Sequence, residues 1–215
     1  MCGIAGFTVA PGARPPDRSD RLRRMTASLR HRGPDAQRGV LLDGVALGHA
    51  RLAIVDVAGG VQPMRDPETG VTLVFNGEIF NYVELRERFR EYRYRTRSDT
   101  EVILAGYLAL GIACVRELNG QFAFAVWDPR SRELWLARDR VGIAPLYYAL
   151  VDGQLAFASE AKGLFAGGWV RPALDPAGLK QTLHLWAPVP PRTPFEGVAS
   201  LPPRSVARFA AGRLE

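Results

Sequence analysis

Cysteine and histidine are scarce in this chain of 215 residues: the thiols are Cys2 and Cys114, and the imidazoles are His31, His49 and His184. No pair of them has the spacing of a zinc site, and two lone thiols make no disulfide scaffold. Lysine is nearly missing too, so the net charge of +6 rests on arginines scattered along the chain, with Lys162 and Lys180 beside them. The densest basic stretch, Arg86 to Arg97, is broken by Glu87, Glu91 and the aromatics Phe89, Tyr92 and Tyr94. It reads as the solvated face of a helix and the strand after it, which argues against a nucleic-acid partner. Long apolar runs are absent, and Met1 to Phe7 has no basic leader. Neither a membrane span nor a secretion signal is expected, and the location implied is cytoplasmic.

The residues present are those of an ordinary folded chain, with 47% apolar and 23% charged. That length and composition suffice for one sizeable core without disulfides or metals. Residues 2 to 9 are small and apolar and predict a buried strand. A Pro/Gly/Arg-rich loop follows, ended by Ser19 or Asp20 as a helix N-cap, and Leu22, Met25 and Leu29 form the apolar stripe of a helix reaching about Leu29. Asp43-Gly44 and Asp152-Gly153 each separate two apolar runs and predict tight hairpins in which both central residues accept positive φ. A third hairpin is expected around Asp128 to Arg132. Asn81 with Glu84, and Ser98 with Glu101, have capping-box spacing, predicting helices near 82–90 and 99–111. Asp175-Pro176 starts another. Strands, helices and then a run of strands favour an antiparallel α+β layered fold over alternating βαβ units.

Two short segments carry chemistry. Removal of Met1 would leave Cys2 with a thiol and a free α-amine on one residue; an amine of pKa about 8 has enough neutral form at pH 7 to take the thiol proton. Position alone is weak, because cysteine is also a common small core residue. Asn76-Gly77-Glu78 follows the apolar strand Val71 to Phe75. A side-chain amide beside a glycine N–H can place two donors on a developing oxyanion, each such donor being worth roughly 3 to 4 kcal/mol in acyl transfer. The competing reading is a turn.

Taken in order, Cys2-Gly3-Ile4-Ala5-Gly6, His31 to Asp35, Arg51 to Asp56, Asn76 to Asn81, Ser98 to Val102, Leu118 to Ala125, Arg138 to Gly142, Pro145 to Tyr148 and Phe157 to Lys162 resemble the N-terminal glutaminase domain of glutamine-hydrolysing asparagine synthetases. The resemblance covers nearly the whole chain. It implies a class II glutamine amidotransferase with the N-terminal-nucleophile hydrolase fold, a four-layer αββα sandwich of two antiparallel sheets. It also implies that Cys2 attacks the glutamine side-chain amide while Asn76 and Gly77 hold the oxyanion. Arg51 would bind the substrate α-carboxylate and Asp99 its α-ammonium, with Leu52, Ala53, Ile54, Val55 and Glu78 completing the pocket. The pairing is chemically apt, because a guanidinium suits a carboxylate by bidentate geometry. Taken by themselves, Arg51 could be a surface arginine and Asp99 a carboxylate favouring a helix start. Cys114 reads as core, and Asp139 and Arg140 as scaffolding or a domain contact.

In that family a second domain activates a carboxylate with ATP and Mg and receives ammonia through a tunnel. No Ser-Gly-Gly-rich pyrophosphate loop for it lies in these residues, so no cofactor is expected here. Residues 1–200 are expected as the amidotransferase domain and 201–215 as the start of a connection to a synthetase domain, with a last hairpin before Glu215. Arg204 stands where the family usually has glycine. The partner would lie in cis or on a separate chain, against an apolar patch fed by residues 180–203, and a homodimer is a further arrangement the resemblance allows. The competing function is an inactive scaffold, as in relatives that close lactams or cyclise peptides; an intact set of Cys2, Arg51, Asn76, Gly77 and Asp99 argues against it.

Overall fold

The computed structural model describes residues 1–9 and 15–215, so much of the expected loop after the first strand lies outside the described residues. In chain order the strands are β1 (Gly3–Thr8), β2 (Ala36–Leu42), β3 (Val45–Arg51), β4 (Met64–Arg65), β5 (Thr72–Ile79), β6 (Gly120–Asp128), β7 (Glu133–Arg138), β8 (Tyr147–Val151), β9 (Gln154–Ala158), β10 (Ala199–Ser200), β11 (Val206–Ala210) and β12 (Arg213–Leu214). The helices are α1 (Pro15–Ser28), α2 (Tyr82–Arg88), α3 (Thr100–Leu110), α4 (Ala161–Ala166) and α5 (Pro176–Leu185), with a 3-10 turn at Gly111–Arg116.

These strands form two six-stranded sheets, in the orders β10-β8-β9-β1-β3-β2 and β12-β11-β7-β6-β5-β4. Strand alternation sends one face of each sheet inward and the other toward helices. Ile4, Val45 and Leu47 of the first sheet meet Val74, Ala123, Ala125 and Leu136 of the second in a shared middle layer. Ala5, Phe7 and Ala46 turn outward onto Leu22, Met25 and Leu29 of the α1 region and Leu164 of α4. Leu73, Phe75 and Phe124 turn the other way onto Leu85 of α2 and Val102 and Ile103 of α3. The result is the four-layer αββα sandwich that the family resemblance implies. Because both faces of β1 are covered, every one of its residues is buried, which is why it reads as a continuous small-apolar run instead of an alternation.

The stripe of Leu22, Met25 and Leu29 is buried as expected, but its helix starts earlier. Two prolines occupy the first turn of α1, where no backbone N–H needs a partner. Asp20 is therefore inside the helix, where it pairs with Arg24 and, at 2.6 Å, with Arg23. The helices stand where they are expected, but neither capping box closes: Ser98 Oγ accepts the Thr100 N–H at 3.2 Å without a reciprocal bond from Glu101, and Asn81 makes no side-chain cap. Asn81 instead receives the Asn119 N–H at 2.9 Å and donates to Glu117 O at 3.0 Å. Glu101, fully buried, accepts the N–H groups of Arg95 and Thr96 at 2.9 and 2.7 Å and the Thr96 hydroxyl at 2.7 Å. The Asp175 cap of α5 forms, accepting from Ala177 and Gly178 at 3.2 Å.

All the expected hairpins are present. Both central residues of the 152–153 turn have positive φ, at 49° and 70°, whereas at 43–44 only Gly44 does, at 91°. Residues 201–215 also contribute to the sandwich: Leu201 and Phe209 are buried in the middle layer, and β11 pairs with β7 from Val206↔Ala137 to Phe209↔Leu134. Arg204 adopts φ 58°, the left-handed conformation that glycine takes without penalty.

Asp139 acts as a bolt at the end of β7. Its buried carboxylate accepts the N–H groups of Val141, Gly142 and Ile143 on one oxygen and those of Ala144 and Phe122 on the other, at 2.6–3.2 Å. Burial pushes its pKa up, but these donors outweigh it and hold the carboxyl below its ordinary range. Asp139→Asn should lower unfolding stability by about 2–4 kcal/mol at neutral pH, since an amide cannot accept on both sides. The difference from the parent chain, read from urea midpoints, should shrink as pH falls below about 4, where the unfolded parent chain takes up the proton before the folded carboxylate does, and vanish once the folded carboxyl is protonated too.

Candidate active site

One edge of β5 organises the candidate site. On one side β5 is paired with β6 along its length, from Thr72↔Trp127 to Ile79↔Gly120. On the other, among the described residues, it meets only β4, at Leu73 and Thr72. Beyond that point alternate peptide groups of β5 face an open edge, because in an antiparallel strand the N–H and C=O of one residue point the same way. Phe75 N–H is taken by Gln62 Oε1 at 2.6 Å and Ile79 N–H by Asp99 Oδ2 at 3.0 Å. Between them, the same alternation turns Gly77 N–H toward the cleft, which Gly77 lines. Glycine is required there for two reasons. Its φ is 152°, and a Cβ would come within 2.0 Å of Gln121 O.

Asn76 faces the other way in register, with its backbone opposite Ala123 and its side chain fully buried. Neither its amide nitrogen nor its amide oxygen has a hydrogen-bond partner among the described residues. A buried amide without a partner is costly, so such a group marks a place where a polar partner arrives from elsewhere.

Cys2 enters the same cleft at the start of β1. Its Sγ accepts the Leu52 N–H at 3.3 Å and lies 3.5 Å from Leu52 O. Burial raises the thiol pKa, while the Leu52 N–H, the N-terminal ammonium and Arg51 pull it down and Asp99 pushes it further up. The amine beside the thiol in this structure is that of Met1, which lines the cleft and is 49% exposed. Arg32 fixes the backbone below: its Nε donates to Cys2 O at 2.9 Å and its Nη1 to Glu160 at 2.9 Å. Glu160 also meets His31 at 2.9 Å and Lys162 at 3.1 Å. Burial raises its pKa, but the hydrogen bonds from Arg32, His31 and Lys162 overcome that and bring it to about 2.

Arg51 and Asp99 supply opposite charges to the cleft wall. Arg51 donates to Asp56 O and Val57 O at 2.8 Å, which orients a guanidinium that still has further N–H groups to offer. Asp56 ties this loop to the one before α3, accepting Gly59 N–H at 2.9 Å and Arg97 N–H at 2.8 Å. Asp99 stands at the N-cap position of α3, where a carboxylate favours the helix dipole, although its side chain makes no capping hydrogen bond. Burial raises its pKa, the condition a cationic partner would relieve.

Of the residues expected at the site, Cys2, Arg51, Leu52, Ile54, Val55, Gly77, Glu78 and Asp99 line one cleft. Ala53 does not; its N–H is bonded to Asp35 at 2.8 Å. Asn76 lies beneath the surface, in the middle layer. Sequence reasoning missed Gln62 and Ser98 in the lining, and Arg32 and His49 behind it. Arg32 belongs to a motif already quoted, so a signal existed; for Gln62 and His49 only the tertiary contact reveals a role. Among the described residues no three His, Cys, Asp or Glu side chains gather as metal ligands, and no helix is long and apolar enough to cross a membrane.

A family model described as "Glutamine amidotransferase domain" matches residues 1–215. The chain is 37% identical over 222 residues to asparagine synthetase [glutamine-hydrolyzing] 3 of Bacillus subtilis, a match covering 100% of this chain and 36% of the relative. It is 44% identical over 181 residues to a putative glutamine-hydrolysing asparagine synthetase of Mycobacterium tuberculosis, covering 76% of this chain and 28% of the relative. The chain thus spans about a third of the length of these relatives. In fold it is similar to the glutamine phosphoribosylpyrophosphate amidotransferase of B. subtilis, with TM-score 0.67 and 19% identity over 100% of this chain and 48% of that one.

Two outcomes are expected from the site's geometry. Gly77→Ala should destabilise the chain by about 2 kcal/mol or more, through strain and displacement of β6, measurable as a lowered melting temperature. His49 is buried and neutral, its pKa lowered from 6.5 to about 4 by burial. The unfolded chain therefore takes up a proton first, so stability should fall by roughly 3 kcal/mol as pH drops from about 6.5 to about 4. Urea titrations of the parent chain and of His49→Gln across that window should differ in slope.

Proposed function

Because the chain belongs to the glutamine amidotransferase domain family, we propose that it hydrolyses glutamine to glutamate and ammonia at Cys2 and supplies the ammonia to an ATP-dependent synthetase domain of the asparagine synthetase type. The observation that carries this reading is the pairing of an unpartnered buried Asn76 amide with the edge-facing Gly77 N–H at the end of the sandwich where Cys2 enters. Removal of Met1 would open the cleft and transfer the α-amine to Cys2 itself. That neutral amine takes the thiol proton, and the thiolate attacks the side-chain carbonyl carbon of glutamine. The carbonyl oxygen gains the charge as its π bond opens, and the donors of Asn76 and Gly77 meet it. The C–N bond then breaks as the ammonium of Cys2 returns its proton to the leaving nitrogen, giving a thioester and ammonia. Water, deprotonated by the same amine, displaces the thiol and releases glutamate.

Arg51 and Asp99 supply the opposite charges needed to receive the α-carboxylate and α-ammonium of an amino acid. The same pair offers nothing to a free amide, so the reading specifies glutamine over simple amides. A partner domain is supported by the curated relatives, which are about three times longer, and by an exposed apolar ridge at Leu183, Leu185, Trp186 and Val189. The inactive-scaffold alternative would not require the intact set of Cys2, Arg51, Asn76, Gly77 and Asp99. Aspartate is the acceptor favoured by the names of the relatives.

Intact-mass spectrometry with glutamate assays tests the reading. The expected result is loss of the methionine mass, one adduct on Cys2 from a diazo-ketone analogue of glutamine, and glutamate release abolished by Cys2→Ala. Retained methionine with neither adduct nor glutamate would overturn it.

A further inference from the structure

Two polar side chains that the proposed hydrolysis does not use meet the open edge of β5 just before Asn76. His49 and Gln62 are 1% and 5% exposed, and both bind the residue immediately before the oxyanion pair. Gln62 Oε1 accepts Phe75 N–H at 2.6 Å. His49 Nε2 lies 3.1 Å from Phe75 O; a carbonyl only accepts, so Nε2 is the protonated nitrogen. Where β4 stops, these two side chains replace the missing strand. They satisfy the peptide groups of Phe75 that a neighbouring strand would otherwise have bound.

Their origins give the arrangement its meaning. His49 is in β3, opposite Ile4 in the register of β1, two residues beyond Cys2. Its hydrogen bond crosses from the sheet of the nucleophile to the sheet of the oxyanion donors. Gln62 makes a second tie, with Nε2 3.4 Å from the hydroxyl of Thr100 in α3, the residue after Asp99. Asn76 has no side-chain partner of its own, so its place relative to Cys2 Sγ depends on how the backbone before it is held.

We propose that His49 and Gln62 are positioning residues: by clamping the Phe75 peptide between them they hold the Asn76 amide and the Gly77 N–H at the height of Cys2 Sγ. The inference rests on the glutaminase reading above. His49 does not touch substrate; it acts through Phe75. Because the clamp serves a tetrahedral oxygen, its loss should weaken the transition state more than the ground state. Substrate recognition by Arg51 and Asp99, which are anchored through Asp56 and Ile79, should be spared.

The test compares the parent chain with His49→Gln, which keeps an N–H at similar reach, and His49→Leu, which removes it. Four readings separate the roles: glutamine turnover, alkylation of Cys2 by iodoacetamide, binding of glutamate, and binding of glutamate γ-semialdehyde, whose aldehyde carbon adds the Cys2 thiol to form a hemithioacetal. For His49→Leu, kcat and semialdehyde affinity should each fall about 10- to 100-fold. KM, glutamate binding and alkylation rate should stay within about twofold, because they need no oxyanion donor. His49→Gln should recover most of the loss. If His49→Leu does not fold, Gln62→Leu takes its place, with the same split expected and Gln62→Glu, which keeps an acceptor, as its rescue. Turnover and semialdehyde affinity at parental levels, or equal losses in all four readings without rescue, would overturn the proposal. A parent chain that neither hydrolyses glutamine nor binds the semialdehyde would instead overturn the glutaminase reading beneath it.

Discussion

Strand β5 has a neighbour along its whole length on one side and, on the other, for two residues only. The peptide groups exposed by that early stop must each find a partner, since a buried backbone donor left alone is costly. Gln62 takes the first and Asp99 the third. Gly77 is between them, in a conformation and a space that exclude any side chain. An edge that would ordinarily be a liability thus becomes a row of fixed donors above a cleft. The carboxylate that satisfies one of them also supplies negative charge to that cleft.

The rest of the sandwich keeps this edge in place. The middle layer is densely apolar, with Ile4, Leu47, Leu134 and Phe157 all at 0% exposure, so the spacing between the sheets is set by side-chain volume. Polar groups placed inside it are correspondingly consequential. His49 is neutral there because burial disfavours its charged form. Around the rim, buried carboxylates organise loops by gathering N–H groups: Asp139 at the end of β7, and Glu101 in the first turn of α3, which holds the loop before that helix. Each substitutes for regular secondary structure where the chain turns away from it.

Much of the architecture was legible in the residues. The Asp-Gly pairs mark hairpins because aspartate and glycine tolerate the turn's dihedrals, and Asp175-Pro176 marks a helix because both suit a first turn. The stripe of Leu22, Met25 and Leu29 marks a buried face by period alone. Failures came wherever a polar side chain had a choice of partners. Ser98 with Glu101 has the spacing of a capping box, yet Glu101 turns to Arg95 and Thr96. Asn81 spans to Glu117 and Asn119 instead of capping its own helix. Asp20 falls inside α1 because prolines already begin that helix. Local pattern states what a side chain is able to do; packing selects which of the options is realised.

The division at the candidate site follows the same line. By itself the sequence determined the kinds of chemistry available: a thiol beside the N-terminus, an Asn-Gly step after a strand, and an arginine and an aspartate in recognisable motifs. That position 77 must be glycine follows from the fold, since its φ of 152° and the approach of Gln121 O leave no place for a Cβ. The tertiary structure decided the partners, because they come from segments far apart in the chain. Ile4 N–H bonds to Ser159, 155 residues away, and Arg32 reaches Cys2 O across 30 residues and Glu160 across 128. Such contacts exist only after strands from opposite ends of the chain have come together in one sheet, as β1 and β9 do. Their geometry is a property of that assembly, which no local spacing encodes.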